Sequence, residues 1–157
     1  MSATILIVDD HDVVRQGVRS ILAERPEWEI CGEASTGEEA VHAAATFSPA
    51  VVILDISMPG MSGLEAASRI VGLGTGARIL IFTMHESPRL AADVREAGAH
   101  GYVQKSQAAR DLILAVERLL SGSTFFGSEL DAQSEGTKAA KATPNSGISL
   151  YSAFCFR

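Results

Sequence analysis

Five side chains that could do chemistry stand at the ends of short apolar runs in this 157-residue chain. Asp9 and Asp10 close the first run, Asp55 the third, Thr83 the fourth and Lys105 the fifth. Three carboxylates gathered at one point repel one another and cannot all stay ionised unopposed. A divalent cation removes that cost. A few hard oxygen donors, with positions left for water and substrate, suit magnesium better than zinc, and no Cys/His cluster offers a softer site. Lys105 adds a compact positive charge able to grip an anion, and Thr83 adds a hydroxyl donor. Carboxylate, cation, ammonium and hydroxyl together describe phosphoryl chemistry, with a carboxylate nucleophile whose developing charge is neutralised.

That chemistry requires a fold that brings the run ends together. Residues 4–9, 29–34, 50–55, 77–82 and 100–104 read as strands. The third and fourth are apolar at nearly every position, as expected for strands covered on both faces. Between them lie helical patterns. Val14, Val18, Ile21 and Leu22 share one face of residues 12–25, and Leu112, Ile113, Val116, Leu119 and Leu120 share one face of residues 108–121. Thr36 with Glu39, and Ser62 with Glu65, have capping-box spacing. Ser87-Pro88 predicts a cap followed by proline at the first helical position, and Gly98 predicts a helix end. Five β and five α segments in strict alternation imply an α/β fold, a parallel sheet with helices on both faces. Ligands bind such sheets at the carboxyl ends of the strands, where the five residues stand.

Apolar residues make up 46% and charged residues 20%, the balance of one soluble globular domain. The net charge of −6 gives no global attraction to nucleic acid or an anionic membrane. The charge is uneven: residues 134–157 carry +2, so the first 133 carry −8. No apolar run approaches the roughly 18 residues of a membrane span. The start lacks the basic region of a signal peptide, and Cys31 and Cys155 fit no metal pattern and read as free thiols. A cytoplasmic location is therefore expected. The composition turns small and polar after about residue 133. We expect one domain over residues 1–122, then a linker and disordered tail over 123–157.

Several features read as structural. Gly72, Gly74 and Gly76 follow a helix and precede a strand, the reverse of a dinucleotide loop. His42 and His100 are read as structural, and Met58 and Met61 as packing residues. His11 and His85 sit beside the site and are read as solvated loop side chains, with His85 also placed to affect hydrolysis of a bound phosphoryl group.

Residues 55–63, DISMPGMSG, resemble the phosphoacceptor signature D-x-x-M-P-x-x-x-G of response regulator receiver domains. Asp9-Asp10, Thr83 and Lys105 match the other defining positions, in order and on the expected strands. The resemblance covers residues 4 to about 121. It implies a flavodoxin-like (βα)5 fold with five parallel strands in the order 2-1-3-4-5. It also implies that Asp55 takes a phosphoryl group from a histidine kinase or a small phosphodonor. Asp10, Asp55 and the backbone carbonyl of Ser57 would ligate Mg2+, with Asp9 acting through water. Lys105 and Thr83 would bind phosphoryl oxygens, Thr83 would drive a switch, and Tyr102 matches the aromatic position that follows it. Such a protein is a signalling switch, its only catalysis being its own phosphorylation and dephosphorylation.

Residues 8–18, 82–87, 101–106 and 117–126 are similar to receivers of LuxR/NarL-type transcription factors. In that family a helix-turn-helix follows, but no pair of helical patterns or basic recognition helix is legible after residue 121, so no DNA binding is expected from this chain. A second reading is a regulator of this type that has lost its DNA-binding half by truncation or a change of reading frame. The apolar end, with Tyr151, Phe154 and Phe156, is expected to dock on the domain or to pair two copies as a homodimer. A third reading is a magnesium-dependent phosphatase of the haloacid dehalogenase type. That family wants two Asp separated by one residue after its first strand, whereas Asp9 and Asp10 are adjacent and Asp12 is already in the next helix.

Overall fold

Val51–Asp55 (β3) is buried at every position, as its unbroken apolar sequence requires of a strand covered on both faces. In the computed structural model, which describes residues 2–126, β3 lies inside a parallel sheet. Its companions are β1 (Ala3–Val8), β2 (Trp28–Ala34), β4 (Arg78–Thr83) and β5 (Gly101–Gln104). The helices are α1 (Asp12–Leu22), α2 (Gly37–Phe47), α3 (Gly63–Gly72), α4 (Leu90–Glu96) and α5 (Ala108–Leu120), with a 3-10 turn at Lys105–Gln107. The sheet order is 2-1-3-4-5, and a two-residue strand, β6 (Phe125–Phe126), follows β5 at the edge.

Alternate strand residues face opposite sides. Ile5, Ile7, Val51, Ile53, Leu80 and Phe82 join one buried cluster with Val18 and Leu22 of α1 and Leu112, Val116 and Leu119 of α5. Each such side chain contributes roughly 1.5–3 kcal/mol on burial. α2 and α3 pack together, and Ala40, Ala44, Ala66 and Ala67 are all 0% exposed.

The register aligns the strand ends. Val8 lies opposite Leu54, Asp55 opposite Phe82 and Thr83 opposite Gln104. Asp9 therefore leaves β1 level with Asp55, and Lys105 follows directly after Gln104.

The helix starts differ in detail from the sequence reading. Thr36 and Ser62 cap α2 and α3, their hydroxyls accepting from the Glu39 and Glu65 amides at 3.1 and 3.2 Å. The return half of each box is not made. The Glu39 carboxylate accepts from Ser35, and the Glu65 carboxylate turns to Arg69 at 2.9 Å. Ser87 does not cap α4. Its carbonyl accepts from the Leu90 amide, so Ser87-Pro88-Arg89 forms a turn and the helix begins only at Leu90. Gly98, with a φ of +88°, ends α4 as expected.

The sixth strand was not anticipated, because residues 123–126 read as linker. Phe125 is 1% exposed and its amide donates to the His100 carbonyl at 3.1 Å. A Cβ on Gly101 would lie 2.1 Å from the Phe125 carbonyl oxygen, so only glycine lets this backbone approach. The His100 ring accepts from the Ile79 amide at 2.9 Å, a structural role. Burial and the nearby Arg78 charge hold its pKa below the ordinary imidazole range. Cys31 is a free thiol. Cys155 and the tail from residue 127, including Tyr151, Phe154 and Phe156, lie outside the described residues.

Candidate functional site

The parallel sheet gathers Asp9, Asp10, Asp55 and Lys105 at one rim. Asp9 and Asp55 are 1% and 3% exposed, and the Asp10 side chain is 26% exposed. Lys105 Nζ lies 2.7 Å from Asp9 Oδ2 and 3.4 Å from Asp55 Oδ1. Its ammonium also sits 5.8 Å above the centre of the Phe82 ring. The Ser57 amide donates to Asp55 Oδ1 at 3.3 Å, turning the loop after β3 around the carboxylate. The loop is held tight at its far end, where the Gly63 amide donates to the Ile56 carbonyl at 3.0 Å. A Cβ at Gly63 would stand 2.1 Å from the Asp55 carbonyl oxygen, which explains the glycine that closes DISMPGMSG.

Burial pushes the Asp55 carboxyl above the ordinary carboxylate range, and the Asp9 charge pushes it further. Lys105 and the Ser57 amide oppose this only in part. Asp9 Oδ2 and Asp10 Oδ1 are buried without a directed hydrogen bond, so Lys105 meets Asp9 as a charge contact only. The cluster therefore holds more negative charge than its cation balances.

Thr83 reaches the same rim at the end of β4, 1% exposed. Its hydroxyl donates to the His85 carbonyl at 3.0 Å and accepts from the His85 amide at 3.2 Å. Tyr102 is buried on β5, and its hydroxyl donates to Glu86 Oε2 at 3.2 Å. Met58 is buried, and Met61 packs on Gly37, as expected for packing residues.

Two positioning residues were not singled out from sequence. Glu86 accepts from both Tyr102 and the Gln104 amide, tying the loop after β4 to β5. Arg15 donates to the Asp9 carbonyl and to Glu33, fixing the loop after β1 against β2. Neither has a local sequence signal, since their partners lie up to 18 residues away. His11, read as solvated, is 62% exposed but turns Nδ1 towards the carboxylates, 3.1 Å from Asp9 Oδ1 and 3.0 Å from Asp10 Oδ1. Its place directly after the acidic pair was the available signal. Asp12 is 81% exposed and paired with Arg15, so it gives the phosphatase reading no general acid at this rim.

Parallel order 2-1-3-4-5 with an acidic cluster and lysine at the carboxyl rim defines a receiver. The chain belongs to the response regulator receiver domain family, whose profile matches residues 5–117. More particularly, it is a receiver of the UvrY/NarL type. It is 39% identical over 129 residues to the response regulator UvrY of Escherichia coli (strain K12), covering 82% of this chain and 59% of that protein. It is 32% identical over 128 residues to the nitrate/nitrite response regulator NarL of the same strain, again covering 82% and 59%. A two-component response regulator of the LuxR family from Aurantimonas sp. SI85-9A1 superposes with a TM-score of 0.79 at 37% identity, covering 84% of this chain and 94% of that one. The isolated receiver of RcsB from Salmonella enterica serovar Typhimurium gives a TM-score of 0.76 at 25% identity, covering 84% and 98%. The chain thus spans about three-fifths of the length of the curated relatives it matches. Among the described residues no helix is long and apolar enough to cross a membrane.

Proposed function

We propose that Asp55 accepts a phosphoryl group from a sensor histidine kinase and that this controls which partners the domain binds. The observation that carries the reading is the Asp55 carboxylate itself: buried at the end of β3, 3.4 Å from the Lys105 ammonium and grouped with two further carboxylates. An Asp55 oxygen attacks phosphorus, an O–P bond forms, the P–N bond of the donor phosphohistidine breaks, and the imidazole leaves with the electron pair. Lys105 stabilises the charge that develops on the phosphoryl oxygens.

The donor set fits Mg2+. It is all oxygen, carries excess negative charge, and leaves Asp9 Oδ2 and Asp10 Oδ1 buried without hydrogen bonds. Asp10, Asp55 and the Ser57 carbonyl would hold the ion, with Asp9 through water. When bound, it supplies charge neutralisation for the transferring group.

The Thr83 hydroxyl is tied to the His85 backbone, and the adjacent Glu86 holds Tyr102. A phosphoryl oxygen that takes the Thr83 hydroxyl releases the His85 carbonyl, freeing the loop that anchors Tyr102. A switch needs such contacts, made in one state only. That the similar RcsB receiver was solved with the phosphomimetic BeF3− supports this reading. A cytoplasmic location accords with a kinase partner of this kind.

The test is intact mass after incubation with Mg2+ and acetyl phosphate. The parent gains one phosphoryl group and Asp55→Asn gains none. Undiminished labelling of Asp55→Asn would falsify the assignment.

A further inference from the structure

Ile79 and His100 are tied twice. The His100 amide donates to the Ile79 carbonyl at 2.8 Å, and the Ile79 amide donates to His100 Nδ1 at 2.9 Å. Both backbone groups of Ile79 thus turn towards β5, whose first residue is Gly101. The imidazole supplies an acceptor at the level where that strand has not yet begun. Ile79 is 0% exposed, so its amide has no water to turn to. The same few residues hold the chain after α5. The His100 carbonyl accepts from the Phe125 amide at 3.1 Å, and Gly101 lies against the Phe125 backbone. Arg78, next to Ile79, donates to the Leu119 and Ser123 carbonyls. This cluster stands at the amino ends of β4 and β5, the rim opposite the carboxylates.

An acceptor at Nδ1 requires that this atom carry no proton. A charged ring would set N–H against N–H, half-buried and beside the Arg78 guanidinium. Burial, then the Arg78 charge, disfavour that form. Little else compensates it. Residues 97–99 and 121–126 carry no charge. On the flanking helices Asp93 pairs with Arg89, Asp111 with Arg110 and Glu117 with Arg25, while Glu96 lines the groove between α3 and α4. Arg95 and Arg118 carry the ring's own sign. A protonated ring therefore leaves the Ile79 amide and draws the His100-Gly101 backbone away from Phe125.

We propose that His100 is a proton-operated clasp: neutral, it holds residues 123–125 to the edge of the sheet, and charged, it releases them. Docking is complete above the ordinary imidazole value of about 6.5 and weakens as pH falls through it. The clasp acts where the chain leaves the sheet, so it couples proton concentration to the anchoring of whatever follows β6, independently of phosphoryl transfer at the other rim.

The test is NMR of the full chain between pH 7.5 and 5. In the parent, the Ile79 and Phe125 amide resonances move with the midpoint of the His100 ring itself, and the protection factor of the Phe125 amide falls on the order of tenfold, the equivalent of one pH unit in the ring's titration. In His100→Asn, the side-chain carbonyl takes the place of Nδ1 and does not titrate, so Phe125 stays docked and both responses disappear. The parent titration alone decides the point if the variant folds poorly. Ile79 and Phe125 resonances that ignore the His100 midpoint overturn the clasp, as does an undiminished pH response at Phe125 in His100→Asn.

Discussion

The Lys105 ammonium is closer to Asp9 than to Asp55, 2.7 Å against 3.4 Å. The lysine thus rests on the deeper carboxylate, leaving Asp55 under-neutralised and Lys105 in direct competition with any cation for Asp9. Lys105→Ala should therefore bind Mg2+ about fivefold more tightly, corresponding to relief of on the order of 1 kcal/mol of repulsion across a partly solvated site. It should label more slowly with acetyl phosphate. Calorimetric titration checks the first point, and weaker Mg2+ binding by the variant would contradict it.

The raised pKa of Asp55 predicts a pH-dependent stability. Burial, then the Asp9 charge, make the ionised form costly in the folded state. The folded protein therefore holds the Asp55 proton to higher pH than the unfolded chain, and stability falls as pH rises through the folded pKa. In EDTA at neutral pH, Asp55→Asn should melt higher, by roughly 4 °C for each 1 kcal/mol recovered. The difference should shrink on acidification as Asp55 protonates in the parent. A gap that widens towards acid pH would have the wrong sign.

Two glycines should respond oppositely to alanine. At Gly63 the added Cβ would meet the backbone of Asp55 and Ile56 at 2.1 and 2.6 Å, so Gly63→Ala should cost about 2 kcal/mol or more and misplace Asp55. Gly17 lies within α1 with nothing inside 4 Å, so Gly17→Ala should stabilise by about 0.5–1 kcal/mol. Urea unfolding of both variants measures the contrast, and equal effects would contradict the tight loop.

Thr83→Ala should bind Mg2+ like the parent, because among the described residues the hydroxyl is hydrogen-bonded to the His85 backbone and not to a carboxylate of the cluster. It should lose the coupling to Tyr102. NMR of the parent should show Tyr102 and Glu86 shifting on addition of beryllofluoride, and Thr83→Ala should show those shifts much reduced. A normal Tyr102 response in the variant would remove Thr83 from the switch.

The rim was legible in the sequence for a physical reason. Apolar β-branched runs alternating with amphipathic helices admit one handed, parallel arrangement, and that arrangement sends every strand end to the same side. Asp9, Asp10, Asp55 and Lys105 could therefore be assembled from their positions at run ends, and the motif at residues 55–63 named the family. Local helix signals were legible only in part. Thr36 and Ser62 cap as read, whereas Glu39, Glu65 and Ser87 found other partners nearby.

Tertiary structure alone decided what each side chain does once it arrives. Lys105 favours Asp9 because the ends of β1 and β5 set the reach of its stem. His11 turns inward because Asp9 beside it is buried and a carboxylate oxygen of both Asp9 and Asp10 lacks a donor. Glu86 finds Tyr102, 16 residues on, because β4 and β5 are neighbours. Phe125 becomes a sixth strand because β5 offers an edge and Gly101 has no side chain to block it. Composition and periodicity report which face of an element is apolar. They carry no information on rotamers, or on which of several nearby partners a polar atom selects, since those depend on distances between residues remote in sequence.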